Sequence, residues 1–131
     1  INQDRLTLKK ISHILNINGY IIITVPAYQW LWSDHDVRLN HYRRYNFSKL
    51  KMLIPENLTI EHATYFNTLL FPLAVIERIF KKFFKIRNNN DNYFLNFIFK
   101  FIFKFERKLL KYFNFPYGLS IFIVLKKNPF V

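Results

Sequence analysis

Residues 20–25 read Tyr-Ile-Ile-Ile-Thr-Val, an unbroken run of β-branched and aromatic side chains with no polar alternation. A strand with one face buried and the other in water would alternate. A run of this kind predicts a strand buried on both faces of a parallel sheet. Pro26 has no amide hydrogen to donate and predicts the strand's end. Upstream, Leu6, Ile11, Ile14 and Leu15 fall near helical spacing, with Lys9, Lys10 and Ser12 opposite, which predicts an amphipathic helix. Asn18 and Gly19 tolerate the left-handed conformation and predict its stop. Helix, tight turn, buried strand and loop is the grammar of an α/β fold.

Ligands of open α/β sheets bind beyond the C-terminal ends of the strands. The segment after Val25 is therefore the first place to look for chemistry. It holds both tryptophans, Trp30 and Trp32, then Ser33, Asp34, His35 and Asp36, and then Asn40-His41-Tyr42-Arg43-Arg44-Tyr45. Lys49-Leu50-Lys51-Met52-Leu53-Ile54 predicts a short helix capped by Asn46 or Ser48. Residues 58–65 predict a second strand. Pro72 suits the first turn of a further helix, in which Glu77, Lys81 and Lys85 form a polar stripe over residues 73–86. Residues 87–92 read as a polar loop.

Residues 97–105 give two conflicting signals. Phe recurs at every second position, as in a strand, while Lys100, Lys104, Lys108 and Lys111 repeat at helical spacing. The lysine spacing is preferred, so residues 69–115 are expected to form a basic helical hairpin. Phe115-Pro116-Tyr117-Gly118 predicts a turn. Residues 120–125 predict another wholly apolar strand, closed by Lys126, Lys127 and Pro129.

The charge is uneven. Net charge is +12. The first 65 residues carry 8 Lys and Arg against 5 Asp and Glu, and the remainder carries 12 against 3 together with 15 of the 16 Phe. A basic, aromatic-rich half suits nucleic acid, an anionic membrane surface or an acidic substrate. An AT-rich genome gives the same bias toward Ile, Phe, Lys, Asn and Tyr without any function. With 51% hydrophobic residues the chain can bury a core. It has no cysteine, which excludes disulfides, thiol catalysis and Cys-based zinc sites. A membrane-spanning helix needs about 20 mostly apolar residues. The uncharged stretch over residues 62–76 is too short and contains Asn67 and Pro72, and lysines interrupt residues 94–113, so no spanning helix is predicted. No basic stretch leads into an apolar one at the start, so no signal peptide is predicted. The expected compartment is the cytoplasm, with peripheral membrane association as an open alternative. The start at Ile1, already inside a helical pattern, predicts a chain cut from a longer one.

Gly19, Val25-Pro26-Ala27, Leu31-Trp32-Ser33, Asp36 and His41-Tyr42-Arg43-Arg44-Tyr45 occur in an order that resembles the later half of class I S-adenosylmethionine-dependent methyltransferases. Tyr65-Phe66-Asn67, Leu70-Phe71-Pro72 and Pro116-Tyr117-Gly118-Leu119-Ser120 extend the likeness. It is weak between Leu73 and Phe115. The resemblance implies a Rossmann-like sheet of seven strands, whose last strand runs antiparallel between the fifth and sixth. Residues 20–25, 58–65 and 120–125 would then be strands five, six and seven of a single incomplete domain over residues 1–131, with residues 69–115 as a helical insertion before the last strand. The family holds its cofactor with a Gly-rich loop after the first strand and an acidic residue ending the second. S-adenosylmethionine is thus implied as cofactor, but none of its binding residues maps onto this chain. The sequence departs from the family pattern at Tyr20 and Asn40, where glycine is usual.

The resemblance puts Trp32, Asp36, His41, Arg43, Arg44 and Tyr45 on the substrate side. His41 and Asp36 suit a general base or the orientation of an acceptor hydroxyl, and the arginines suit a phosphate or carboxylate. The competing reading is a loop staple, with Asp36 paired to an arginine and His41 bonded to backbone. Trp30 and Trp32 either wall a pocket or cover the sheet edge. His13 and His62 read as structural. Asp34, His35, Asp36 and His41 match no standard metal-ligand spacing, so no metal is predicted. The expected function is methyl transfer to a small-molecule or lipid/glycan-linked acceptor, with the fragment alone inactive. The alternative is a non-catalytic, Phe-rich module that binds a membrane surface or a partner. Nucleic acid is disfavoured, because the Phe alternate with Ile and Leu as a packing face does.

Overall fold

A computed structural model describes residues 3–84 and 93–129. It has a mixed α/β fold, with helices α1 (Asp4–Ile14), α2 (Asp34–Arg38), α3 (Phe47–Lys51), α4 (Phe71–Phe84) and α5 (Tyr93–Leu109) and strands β1 (Tyr20–Pro26), β2 (Leu58–Phe66) and β3 (Ser120–Lys127). The three strands form one antiparallel sheet in the order β1-β3-β2. The strand that comes last in the chain therefore sits in the middle. The chain divides into two compact units, one of Ile1–Thr64 with Ser120–Val131 and one of Tyr65–Leu119.

In the first unit β1 pairs with β3 in a register that sets Ile21 opposite Leu125, Ile23 opposite Ile123 and Val25 opposite Ile121. Directly opposed residues share a face. Ile121, Ile123 and Leu125 are fully buried on that face, and Leu8, Leu31, Leu50 and Leu58 are the other large buried apolar side chains of the unit. The opposite face is different from the sequence expectation. Tyr20 and Ile22 are 57% and 65% exposed, while Ile21, Ile23 and Val25 on the other face are half-buried. A run of β-branched residues reports what a strand could bury, and here no residue of β1 is fully buried. The neighbouring positions on β3, Phe122 and Val124, are half-buried. The β3 strand also runs through Lys126 and Lys127, which the sequence placed beyond it.

Helix α1 turns a different side inward from the one expected. Leu6 and Ile14 are exposed, at 53% and 83%, and Ile11 is also exposed. The buried pair is Leu8 and Ser12, one turn apart. Ser12 tolerates burial because its hydroxyl donates to the Lys9 carbonyl (2.8 Å) and accepts from Asn57 Nδ2 (3.2 Å). The helix ends against β3, where Lys127 Nζ donates to the Leu15 carbonyl at 2.7 Å. A cation is well placed there, at the negative end of the helix dipole. Asn18 carries the left-handed turn (φ 61°), and Gly19 does not.

In the second unit Asn67 is left-handed (φ 59°) and redirects the chain from β2 toward α4. Glu106 of α5 is buried and accepts from the amides of Thr68 (2.8 Å) and Leu69 (3.2 Å). Those amides lie just before α4, so the carboxylate holds that turn in place. Gly118 lies against Phe66, and an added Cβ would come within 2.4 Å of the Phe66 carbonyl oxygen. The expected polar loop at residues 87–92, and the Lys85 end of the polar stripe, lie outside the described residues. No helix among the described residues is long and apolar enough to cross a membrane.

Ile123 is the central buried side chain of the central strand. Ile123→Ala is expected to lower stability by about 2–5 kcal/mol, read as a shift of the urea midpoint by circular dichroism. A loss under about 0.5 kcal/mol, the size of an ordinary surface change, would contradict a core at β3.

Candidate functional site

The loop beyond β1 is tied back onto the strand that it leaves. Ala27 bridges in parallel to Tyr45, Tyr28 N–H donates to the Tyr45 carbonyl at 2.7 Å, and Tyr45 N–H donates to the Pro26 carbonyl at 2.9 Å. Between these points the chain makes a 3-10 turn (Gln29–Leu31) and the short helix α2. Ser33 caps α2. Its hydroxyl accepts from the His35 amide, while the Asp36 carboxylate accepts from the Ser33 amide at 3.0 Å. This reciprocal arrangement is a capping box.

Asp36 does more than cap. It is fully buried, and its carboxylate also accepts from Arg44 Nε at 2.8 Å and His41 Nδ1 at 3.0 Å. Arg44, 8% exposed, in turn donates from Nη1 to the Ala27 carbonyl at 3.0 Å, and its amide donates to Gln29 Oε1 at 2.9 Å. Burial by itself pushes the Asp36 carboxyl up. The bonds from Arg44 and His41, the Arg44 charge and the Ser33 amide outweigh burial and hold it below the ordinary carboxylate value. An ionised carboxylate only accepts, so Nδ1 of His41 is the donor. In a neutral ring this leaves Nε2 as the acceptor.

A second set of contacts ties the cluster to α1. Tyr45 donates its hydroxyl to Asp4, and Arg43 Nη1 lies 3.5 Å from the same Asp4 carboxylate. Burial and the adjacent Asp4 carboxylate push the Tyr45 phenol well up, so it stays a protonated donor near neutral pH. Asp4, Asn40, His41, Tyr42, Arg43 and Tyr45 line one end of a cavity of about 480 Å³. Its other walls are Thr7, Leu8 and Ile11 of α1, residues 21–26 of β1, and Leu50 and Leu53. Because consecutive residues of β1 line it, the cavity runs along the strand's outer edge and does not lie on one face.

The structure therefore separates the six sequence candidates. Asp36 and Arg44 are buried in the staple. His41, Arg43 and Tyr45 reach the cavity, and His41, with a third of its side chain exposed, belongs to both. Trp32 is half-buried and is not among the cavity's lining residues, so it does not wall this pocket. Trp30 is 61% exposed. Of the other histidines, His13 is exposed on α1, and His62 packs edge-on to Phe122 with ring centres 6.3 Å apart. Asp4 was missed, because its partners stand about forty residues away with no local signature. The helix α2 was also missed, although the Ser33-x-x-Asp36 spacing is the signature of the box that caps it.

Neither of the chain's two glycines is free to form part of a cradle for S-adenosylmethionine. Such a cradle needs glycines that leave room for the ligand. A Cβ on Gly19 would meet the Asn16 carbonyl and the Leu15 side chain at 2.8 Å, and Gly118 is taken up by Phe66. Both glycines serve the chain's own close contacts. Among the described residues no group of three or more His, Asp or Glu is placed to hold a metal ion. In comparisons with known proteins the chain matches no family, no curated protein and no solved structure.

Removing the Asp36 charge strands Arg44 in a buried site. Asp36→Asn is expected to cost about 3–5 kcal/mol at neutral pH. The depressed carboxyl contributes stability that is present above its unfolded value and is lost as pH falls through the lower folded value. The gap between wild type and variant in urea melts should therefore narrow below about pH 4. A gap that stays constant into acid would contradict an ionised, paired Asp36.

Proposed function

We propose that this chain forms the acceptor-side part of a class I S-adenosylmethionine-dependent methyltransferase, acting on a small-molecule or lipid/glycan-linked acceptor. The observation that carries the reading is the strand order. A last strand, antiparallel and set between the two before it, is the arrangement that the motif resemblance implies for strands five, seven and six. The His41 cluster supports it further. It stands at the C-terminal end of β1, where α/β sheets bind their ligands.

In this reading Asp36 fixes the His41 tautomer and ring, and Nε2 accepts the proton of an acceptor hydroxyl as the methyl group arrives. Arg43 meets a negative group on the acceptor. Asp36 and Arg44 act as positioning residues through the staple. The cofactor is held by strands other than these three. The outer edge of β1, where the described sheet stops, is where such strands would pair.

Three measurements test the reading. The chain by itself is expected to give no saturable heat with S-adenosylmethionine in calorimetry, and micromolar binding would overturn the assignment of the cofactor to other strands. Coding DNA upstream of Ile1 is expected to specify a strand, a Gly-rich turn and a helix, followed by a strand ending in an acidic residue. An unrelated domain there would sink the methyltransferase reading. In the longer polypeptide, His41→Ala should lower turnover by about 10²–10⁴-fold, well beyond what the lost hydrogen bond to Asp36 costs in stability. Unchanged turnover would remove His41 from the chemistry.

A further inference from the structure

The C-terminal half of α5 exposes two adjoining rows of side chains. Lys100, Lys104 and Lys108 are exposed and four residues apart, so they form one row along the helix. Phe101 and Phe105, 70% and 53% exposed, form a second row beside it. The inward side is occupied by buried Glu106 and by half-buried Ile102 and Leu109. The pattern continues past the helix end, where Lys111 lies over the ring of Tyr112 at 5.9 Å and Phe113 is 60% exposed.

Charge decides what such a surface can meet. Residues 100–113 carry five cations, and their one acid, Glu106, is buried and spent on the Thr68 and Leu69 amides. The exposed charge is wholly positive, so the partner is anionic. The exposed rings require in addition that the partner take up apolar surface. An anionic lipid bilayer satisfies both demands at the spacing seen, with phosphates at the height of the lysine row and acyl chains beneath the phenylalanine row. A nucleic acid would take up the charge, but Phe101 and Phe105 lie one turn apart on a single helix row and do not stand as separate stacking platforms.

We propose that α5 is a membrane-surface element that lies on anionic bilayers, with Phe101 and Phe105 inserted below the head groups and Lys100, Lys104 and Lys108 bound to lipid phosphates. All of these residues belong to the second unit, and none lines the cavity beside β1. Vesicle binding and methyl transfer can therefore fail independently.

The test is cosedimentation of the chain with vesicles of phosphatidylcholine alone, or with about one-third phosphatidylserine. The chain is expected to sediment with the anionic vesicles and to stay in solution with the neutral ones. Phe101→Ser with Phe105→Ser should weaken the partitioning by about tenfold or more. Lys100→Glu, Lys104→Glu and Lys108→Glu together should abolish it. The substituted side chains are exposed, and circular dichroism should show the helix retained in both variants. No sedimentation with anionic vesicles would overturn the proposal. So would equal binding by the phenylalanine variant, which would leave charge alone. Tight binding of single-stranded oligouridylate that the phenylalanine variant keeps would assign the surface to nucleic acid instead.

Discussion

The pairing of β3 with β1 organises the first unit. It brings Ile23 against Ile123 across a hundred residues of chain, and it supplies three of the fully buried side chains, Ile121, Ile123 and Leu125. With β3 in the centre, both outer strands present their C-terminal ends on the same side, since each runs antiparallel to it. The loop that follows β1 is thereby placed over one end of the sheet. The same pairing brings Lys127 to the C-terminal end of α1, so that the helix is anchored by the last residue of the central strand.

Within that frame, Asp36 sets the geometry of the loop. One carboxylate accepts from a helix-capping amide, an imidazole and a guanidinium, and the guanidinium reaches on to the backbone at the end of β1. A buried ion pair of this kind is a weak source of net stability. Its effect is to remove alternatives, because any other loop path leaves a charge buried and unpaired. Stapling and chemistry are not rival descriptions here. The bond that satisfies Asp36 is the one that fixes which nitrogen of His41 carries the proton.

The strands were legible because β-branched runs bounded by Pro, Asn and Gly leave little choice, and their ends moved by only one or two residues. The helix over residues 93–109 was legible through its lysine spacing. The alternating Phe pointed the other way, but on the helix Phe103 falls on a different side from Phe101 and Phe105. The inner side of α1 was not legible. A small hydroxyl side chain at position 12 is buried because Asn57 meets it, and that partner is set by tertiary structure. The site divides in the same way. Asp36, His41 and Arg44 lie within nine positions of one another and could be grouped from spacing alone. Asp4 meets Tyr45 and Arg43 only through tertiary structure, about forty residues along the chain.

The central place of β3 has a consequence for synthesis. A ribosome makes β1 and β2 well before β3, so for most of the time the chain is emerging the two outer strands have no partner between them. Their backbone groups and the Ile-rich face of β1 must wait, solvated or held by a chaperone, until the strand that joins them has cleared the exit tunnel. The first unit can therefore complete its sheet only after β3 is made, while the second unit, contiguous from Tyr65 to Leu119, has its whole sequence in hand earlier.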